Sequence, residues 1–156
     1  MDPRRVVMYL DSAIIVKLLV READSEWFEE NLSGQSFESS ELSVVEVCGA
    51  LLFKERNREI VPRERLRGAE IFFSMLENES ILLLPIERTV LDRAQAIQLA
   101  CHPHIPLRTL DALHVATCDW HRSGTMAATD KRIRAACKQL GIALTPKEIE
   151  DIATAE

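Results

Sequence analysis

The chain has 156 residues, 47% hydrophobic and 28% charged, the size and balance of one soluble domain with its own core. Its formal net charge of −6 argues against broad nucleic-acid affinity, and no run approaches the roughly 18 apolar residues of a membrane span. Cys48, Cys101, Cys118 and Cys137 form no C-x-x-C pair, so they read as reduced, small hydrophobes in a cytoplasmic protein.

Val6 to Leu10 predicts a buried strand, short and rich in β-formers. Arg4-Arg5 ahead of it has some likeness to a signal peptide. Asp11 and Lys17 interrupt the apolar stretch and no small-residue cleavage site follows, so export is not expected. Ser12 caps a helix to about Val20, and Asp24 or Ser25 caps a second that ends near Asn31 to Gly34. Ser36 to Ser40 is a short strand. Ser43-x-x-Glu46 has capping-box spacing and opens a helix to about Arg56, and Pro62 starts another to about Leu76. Ile81 to Ile86 is a strand, followed by a helix from Arg88 to Ala100, a loop with Pro103 and Pro106, and a helix from Thr109 to His121. Met126 to Thr129 is a fourth strand, a helix then reaches Leu140, and Ile142 to Leu144 is a fifth strand. Thr145-Pro146-Lys147-Glu148 predicts the capped start of a last short helix.

Strands alternating with helices imply an α/β fold with a mainly parallel sheet covered on both faces, a three-layer α/β/α sandwich. In such sheets strand C-termini and helix N-termini share one edge, and ligands bind there where the strand order reverses. Asp11 ends the first strand, Asp130 follows the fourth, and Glu46 and Asp111 fall in first helical turns, so all four map to that edge. Each acid taken alone also has a plain explanation. Helix dipoles favour first-turn acids by about 0.3–1 kcal/mol, Glu46 has capping-box spacing to Ser43, and Asp130 suits an N-cap. Gathered together, carboxylates 4 Å apart repel by roughly 4 kcal/mol per pair at an effective dielectric of 20. A hard cation such as Mg²⁺ or Mn²⁺ would turn that repulsion into binding. Two basic groups, Lys54 to Arg67 and Lys131 to Lys138, are either solvated helix faces or banks for a phosphodiester backbone.

Four segments carry a family resemblance. Tyr9-Leu10-Asp11-Ser12-Ala13 resembles the opening motif of PIN-domain ribonucleases, and Leu42-Ser43-Val44-Val45-Glu46-Val47 their second. Leu110-Asp111-Ala112-Leu113-His114-Val115-Ala116-Thr117 resembles the third and Ala128-Thr129-Asp130-Lys131-Arg132 the fourth. The resemblance spans nearly the whole chain and makes residues 1–156 a single PIN domain. The small size is most similar to VapC toxins of toxin–antitoxin pairs. It implies a divalent-metal endoribonuclease acting on RNA, a cognate antitoxin and frequent homodimerisation.

On that reading Asp11, Glu46, Asp111 and Asp130 bind one or two Mg²⁺ or Mn²⁺ ions that activate water and offset phosphate charge. Ser12 and Thr129 either orient a ligand or phosphate, or cap the next helix and close a strand. His114, one turn after Asp111, either contacts RNA, orients a carboxylate or is a hydrogen-bonded structural histidine. Arg108 is placed to meet phosphate. Apolar residues in the first two helices and in residues 62–76 include a surplus suited to an antitoxin groove or a dimer face. Alternative readings are an RNA-processing PIN nuclease without an antitoxin and a non-catalytic binding module. A phosphatase with Asp11 as phosphoryl acceptor would want a second Asp at position 13, where Ala13 stands.

Overall fold

Residues 7–153 are described by the structure, a computed structural model. Strands β1 (Val7–Leu10), β2 (Ser36–Ser40), β3 (Ile81–Leu84), β4 (Thr125–Ala127) and β5 (Ala143–Thr145) form one sheet in the order β3-β2-β1-β4-β5, with every neighbouring pair parallel. Helices α1 (Ser12–Leu19) and α2 (Ser25–Leu32) join β1 to β2, and α3 (Ser43–Arg56) and α4 (Pro62–Glu77) join β2 to β3. Helices α5 (Arg88–Cys101) and α6 (Thr109–Trp120) lead to β4, α7 (Lys131–Leu140) leads to β5, and α8 (Glu150–Ala153) follows. The chain winds outward from β1 to β3, then returns to the other side of β1. The strand order therefore reverses between β1 and β4, beside Asp11.

Strand periodicity explains the two cores. Met8 and Leu10 of β1 and Ala127 pack with α1 to α4, including Ile14, Ile15, Phe28, Val47 and Phe72. Tyr9, Met126 and Ala128 face the opposite way, against Val90, Ile97, Val115 and Ile133 of α5 to α7. Side chains alternate across a strand, so a sheet clothed on both faces needs both parities apolar. Burying one Leu or Ile contributes about 1.5–3 kcal/mol. Ion pairs tie neighbouring helices together within each layer. Lys17 reaches Glu22 at 2.6 Å and Asp24 at 2.9 Å, and Lys54 joins Glu22 at 2.9 Å. Asp119, two turns beyond Asp111 on α6, pairs with Arg93 of α5 at 2.6 Å.

Four local expectations give way to tertiary contacts. Asp11, not Ser12, stands at the α1 N-cap, and it makes no side-chain cap bond. The Ser43–Glu46 capping box does not form. Leu42 is the N-cap of α3 and both side chains turn to the sheet edge instead. The fourth strand runs Thr125–Ala127, so Thr129 lies outside it. The last helix begins at Glu150 rather than after Thr145, because Thr145 is paired with Ala127 as the end of β5. Val6 lies outside the described residues. The apolar surplus divides cleanly. Leu19, Phe28 and Phe72 are buried, Leu18, Trp27 and Ile71 pack partly against them, and Leu66 and Phe73 are exposed. All four cysteines are free; Cys101, Cys118 and Cys137 are buried, and Cys48 is exposed.

Candidate active site

β1 delivers Asp11 directly to the switch point. Its amide donates to the Ala127 carbonyl at 3.2 Å, and its own carbonyl accepts from Ile14 and Ile15 to start α1. The residue is left only 6% exposed at the sheet edge. Burial, then the charges of Glu46 and Asp111, push its carboxyl up to about 6, although nearby His114 opposes them.

Glu46 arrives on the first turn of α3. Ser12 Oγ donates to its Oε1 at 2.7 Å, and His114 Nε2 bonds the same oxygen. Burial would raise the Glu46 carboxyl, but the bonds from His114 and Ser12 and the histidine charge hold it below the usual range. Asp111 sits half-buried on the first turn of α6. Burial and the charge of Asp130 raise it, against the opposing pull of Arg108 and His114. Asp130 caps α7, its Oδ1 accepting from the amides of Arg132 at 2.9 Å and Ile133 at 3.0 Å. Gly141, at φ 73°, ends that helix in the left-handed region.

Beneath the acids runs a buried polar network. His114 is 1% exposed, and Tyr9, in the centre of β1, is fully buried. The Tyr9 hydroxyl lies 2.7 Å from His114 Nδ1, and the two rings meet edge-on. On its other side His114 Nε2 bonds Glu46, lies 3.1 Å from Ser12 Oγ and stands 3.9 Å from Asp11 Oδ1. Burial disfavours its charged form, but Glu46, Asp11 and Asp111 together raise its pKa. The chain continues from Ser12 to Ser43 at 3.1 Å, to Ser39 at 2.6 Å, and ends on the Leu10 carbonyl at 2.7 Å. Sequence reasoning missed Tyr9, Ser39 and Ser43 in these roles. The available signal was a phenol inside a strand, since a buried hydroxyl finds a partner.

The other expected residues separate by exposure. Arg108 is exposed at the α6 N-cap and its charge acts on Asp111. Thr129 is half-buried just before Asp130. Lys131 is exposed and Arg132 half-buried beside it. Arg134 of the same basic group is buried, donating to the carbonyls of Ala128 and Lys147, each at 2.9 Å. In the first basic group, Lys54 is paired with Glu22 and Glu59, and Arg65 with Glu55.

Asp11 therefore feels the charges of Glu46 and Asp111, and Asp111 those of Asp130 and Glu46, which links the acids along a single edge. Among the described residues, however, no group of three or more His, Cys, Asp or Glu side chains is already placed to hold a metal ion. Glu46 Oε1 is turned onto His114, and Asp130 Oδ1 onto helix amides. The donor chemistry still fits a hard divalent cation. The ligands are anionic oxygens, and two of the carboxyls are raised by burial and mutual repulsion that a cation would relieve.

Residues 8–139 match the family model described as PIN domain. The chain is 34% identical over 140 residues to Ribonuclease VapC46 of Mycobacterium tuberculosis (strain ATCC 25618 / H37Rv), covering 88% of this chain and 95% of that relative. The crystal structure of FitAcB from Neisseria gonorrhoeae shares the fold at a TM-score of 0.62 and 17% identity, over 88% of this chain and 95% of that one. From the second residue of β1 to the last turn of α7, sequence and topology agree, and the chain belongs to the PIN-domain family.

Proposed function

We propose that this protein is a divalent-metal-dependent endoribonuclease and the toxin of a toxin–antitoxin pair. The observation that carries the reading is that Asp11 feels Glu46 and Asp111, and Asp111 feels Asp130, at the switch point of a PIN-domain chain. The identity to a protein named Ribonuclease VapC46 supports RNA as substrate.

Asp11, Glu46, Asp111 and Asp130 would hold Mg²⁺ or Mn²⁺. When bound, such an ion offsets charge on the attacked phosphate and lowers the pKa of water. The protein's own groups supply the rest. Asp11 presents a carboxylate from a rigid, buried strand end. Ser12 and His114 hold Glu46 by Oε1, and the α7 amides hold Asp130 by Oδ1. Arg108, Lys131 and Arg132 flank the acids and meet the RNA backbone, as phosphate contacts that position the strand. Thr129 orients the phosphate beside Asp130.

Antitoxin and self-association belong to the exposed apolar residues of α3 and α4: Val45, Leu52, Phe53, Leu66 and Phe73. Leu52 and Phe73 line a small apolar cleft of about 80 Å³ between the two helices, with Val44, Val47, Cys48 and Phe72. Among the described residues no helix is long and apolar enough to cross a membrane, which is consistent with action in the cytoplasm. The test is cleavage of RNA by purified protein with Mg²⁺ or Mn²⁺, with chelator, and with Asp11→Asn. Metal-dependent cutting that Asp11→Asn abolishes is the expected result. Equal cutting by the variant overturns the assignment.

A further inference from the structure

The Tyr9–His114 pair behind the acids is closed to solvent, and only His114 reaches the acids themselves. Tyr9 comes from β1, His114 from α6, Glu46 from α3 and Ser12 from α1, so four separate elements meet at one imidazole. That ring has two nitrogens and both are used. Nδ1 faces the Tyr9 hydroxyl at 2.7 Å, and Nε2 faces Glu46 Oε1. A neutral ring that accepts the Tyr9 proton at Nδ1 must carry its own proton at Nε2, where it donates to the carboxylate. A cationic ring donates at both positions, and the Tyr9 oxygen then accepts. The geometry serves Glu46 in either state.

We propose that Tyr9 and His114 are positioning residues for Glu46, and that Tyr9 acts on the acid entirely through the imidazole. This deepens the nuclease reading and rests on it. The hydroxyl fixes the ring, the ring fixes Oε1, and Oε2 is left as the oxygen offered to a divalent cation. Ser12 adds a second donor to the same Oε1 at 2.7 Å, so the carboxylate is gripped from α1 and α6 together. A ligand carboxylate held by its own outer partner is pre-oriented, and loss of such partners costs about 10–100-fold in metal affinity or activity.

The experiment is Mn²⁺ titration of RNA-free protein, followed by electron paramagnetic resonance, with circular dichroism for folding and steady-state cleavage for kcat and KM. Tyr9→Phe keeps the ring and removes only the hydroxyl. Its Mn²⁺ affinity is expected to fall about 10–100-fold, with KM for RNA unchanged. His114→Leu should fall as far, and His114→Gln, which can still donate to Glu46, should recover most of the loss. In a Glu46→Gln background Tyr9→Phe should have no further effect. A folded Tyr9→Phe protein that binds Mn²⁺ as wild type does overturns the proposal, and so does an equal loss in the Glu46→Gln background. Should Tyr9→Phe not fold, the comparison of His114→Gln with His114→Leu decides, and equal losses refute it. Wild-type protein that binds no Mn²⁺ removes the metal-nuclease reading itself, a separate failure.

Discussion

Exchanging Asp11 for asparagine removes a charge from a site only 6% exposed while keeping the shape of the side chain. The carboxyl there is raised from an ordinary 3.8 to about 6, by burial first and by Glu46 and Asp111 second. Each pH unit of difference between folded and unfolded chain is worth about 1.36 kcal/mol. The ionised Asp11 side chain thus costs the metal-free fold about 3 kcal/mol at neutral pH. The sign follows from proton binding. The folded chain holds this proton more tightly, so between about pH 6 and pH 4 it binds more protons than the unfolded chain. Wild-type stability from this group therefore rises as pH falls through that window, and the cost is fully present above it. Asp11→Asn should be more stable than wild type at pH 7.5 by up to about 3 kcal/mol, a midpoint shift of roughly 6–12 °C for a chain of this size. The advantage should close below about pH 4. Urea unfolding in chelator from pH 3.5 to 8 measures it. A variant no more stable than wild type at pH 7.5, or a gap that does not change with pH, would refute the account of Asp11 as a carboxylate held at a cost for function.

Three further outcomes follow from the same site. Mg²⁺ or Mn²⁺ at 100 times its dissociation constant should raise wild-type stability by about 2.7 kcal/mol, and should do far less for Asp11→Asn; thermal melts with and without metal check both. Asp130→Ala should lose cleavage and also about 1 kcal/mol of stability, because Asp130 caps α7 through two amides, so the two aspartates should move stability in opposite directions. Arg134→Met leaves the carbonyls of Ala128 and Lys147 without their donor, and should cost about 1–3 kcal/mol in urea. Because Ala128 lies two residues before Asp130, cleavage by this variant should fall as well, although Arg134 touches no phosphate.

The boundaries of β2 and α3 coincide with the sequence reading; the apolar run after Ser43 carries its own signal, while Ser36–Ser40, poor in strand formers, is held extended by pairing with β1 and β3. The placement of the four acids on one edge of the sheet was legible for a related reason. Topology puts strand ends and helix starts on one edge whatever the details of packing. Their partners were not legible. Ser12 has an N-cap's chemistry and Ser43–Glu46 has capping-box spacing, yet each spends its hydrogen bonds across the fold. A local cap is worth about 1 kcal/mol, and a buried carboxylate left without donors loses more than that. The long-range partner therefore wins. Arg134 shows the same effect in reverse: a charge that reads as surface is buried where its guanidinium donates to the carbonyls of Ala128, just past β4, and Lys147, in the turn after β5.

Residue order alone determined the alternation of strands and helices, the parallel sheet it requires, and the arrival of Asp11, Glu46, Asp111 and Asp130 at one rim. Those properties depend on periodicity and chain direction, which a linear string carries. Only the tertiary structure decided that Tyr9 and His114 stand behind Glu46, and that Asp11 is buried enough to resist ionising. It also decided that the carboxylates are coupled without yet being arranged around an ion. Those properties depend on distances between residues as much as 105 positions apart, which packing of the helices on the sheet fixes.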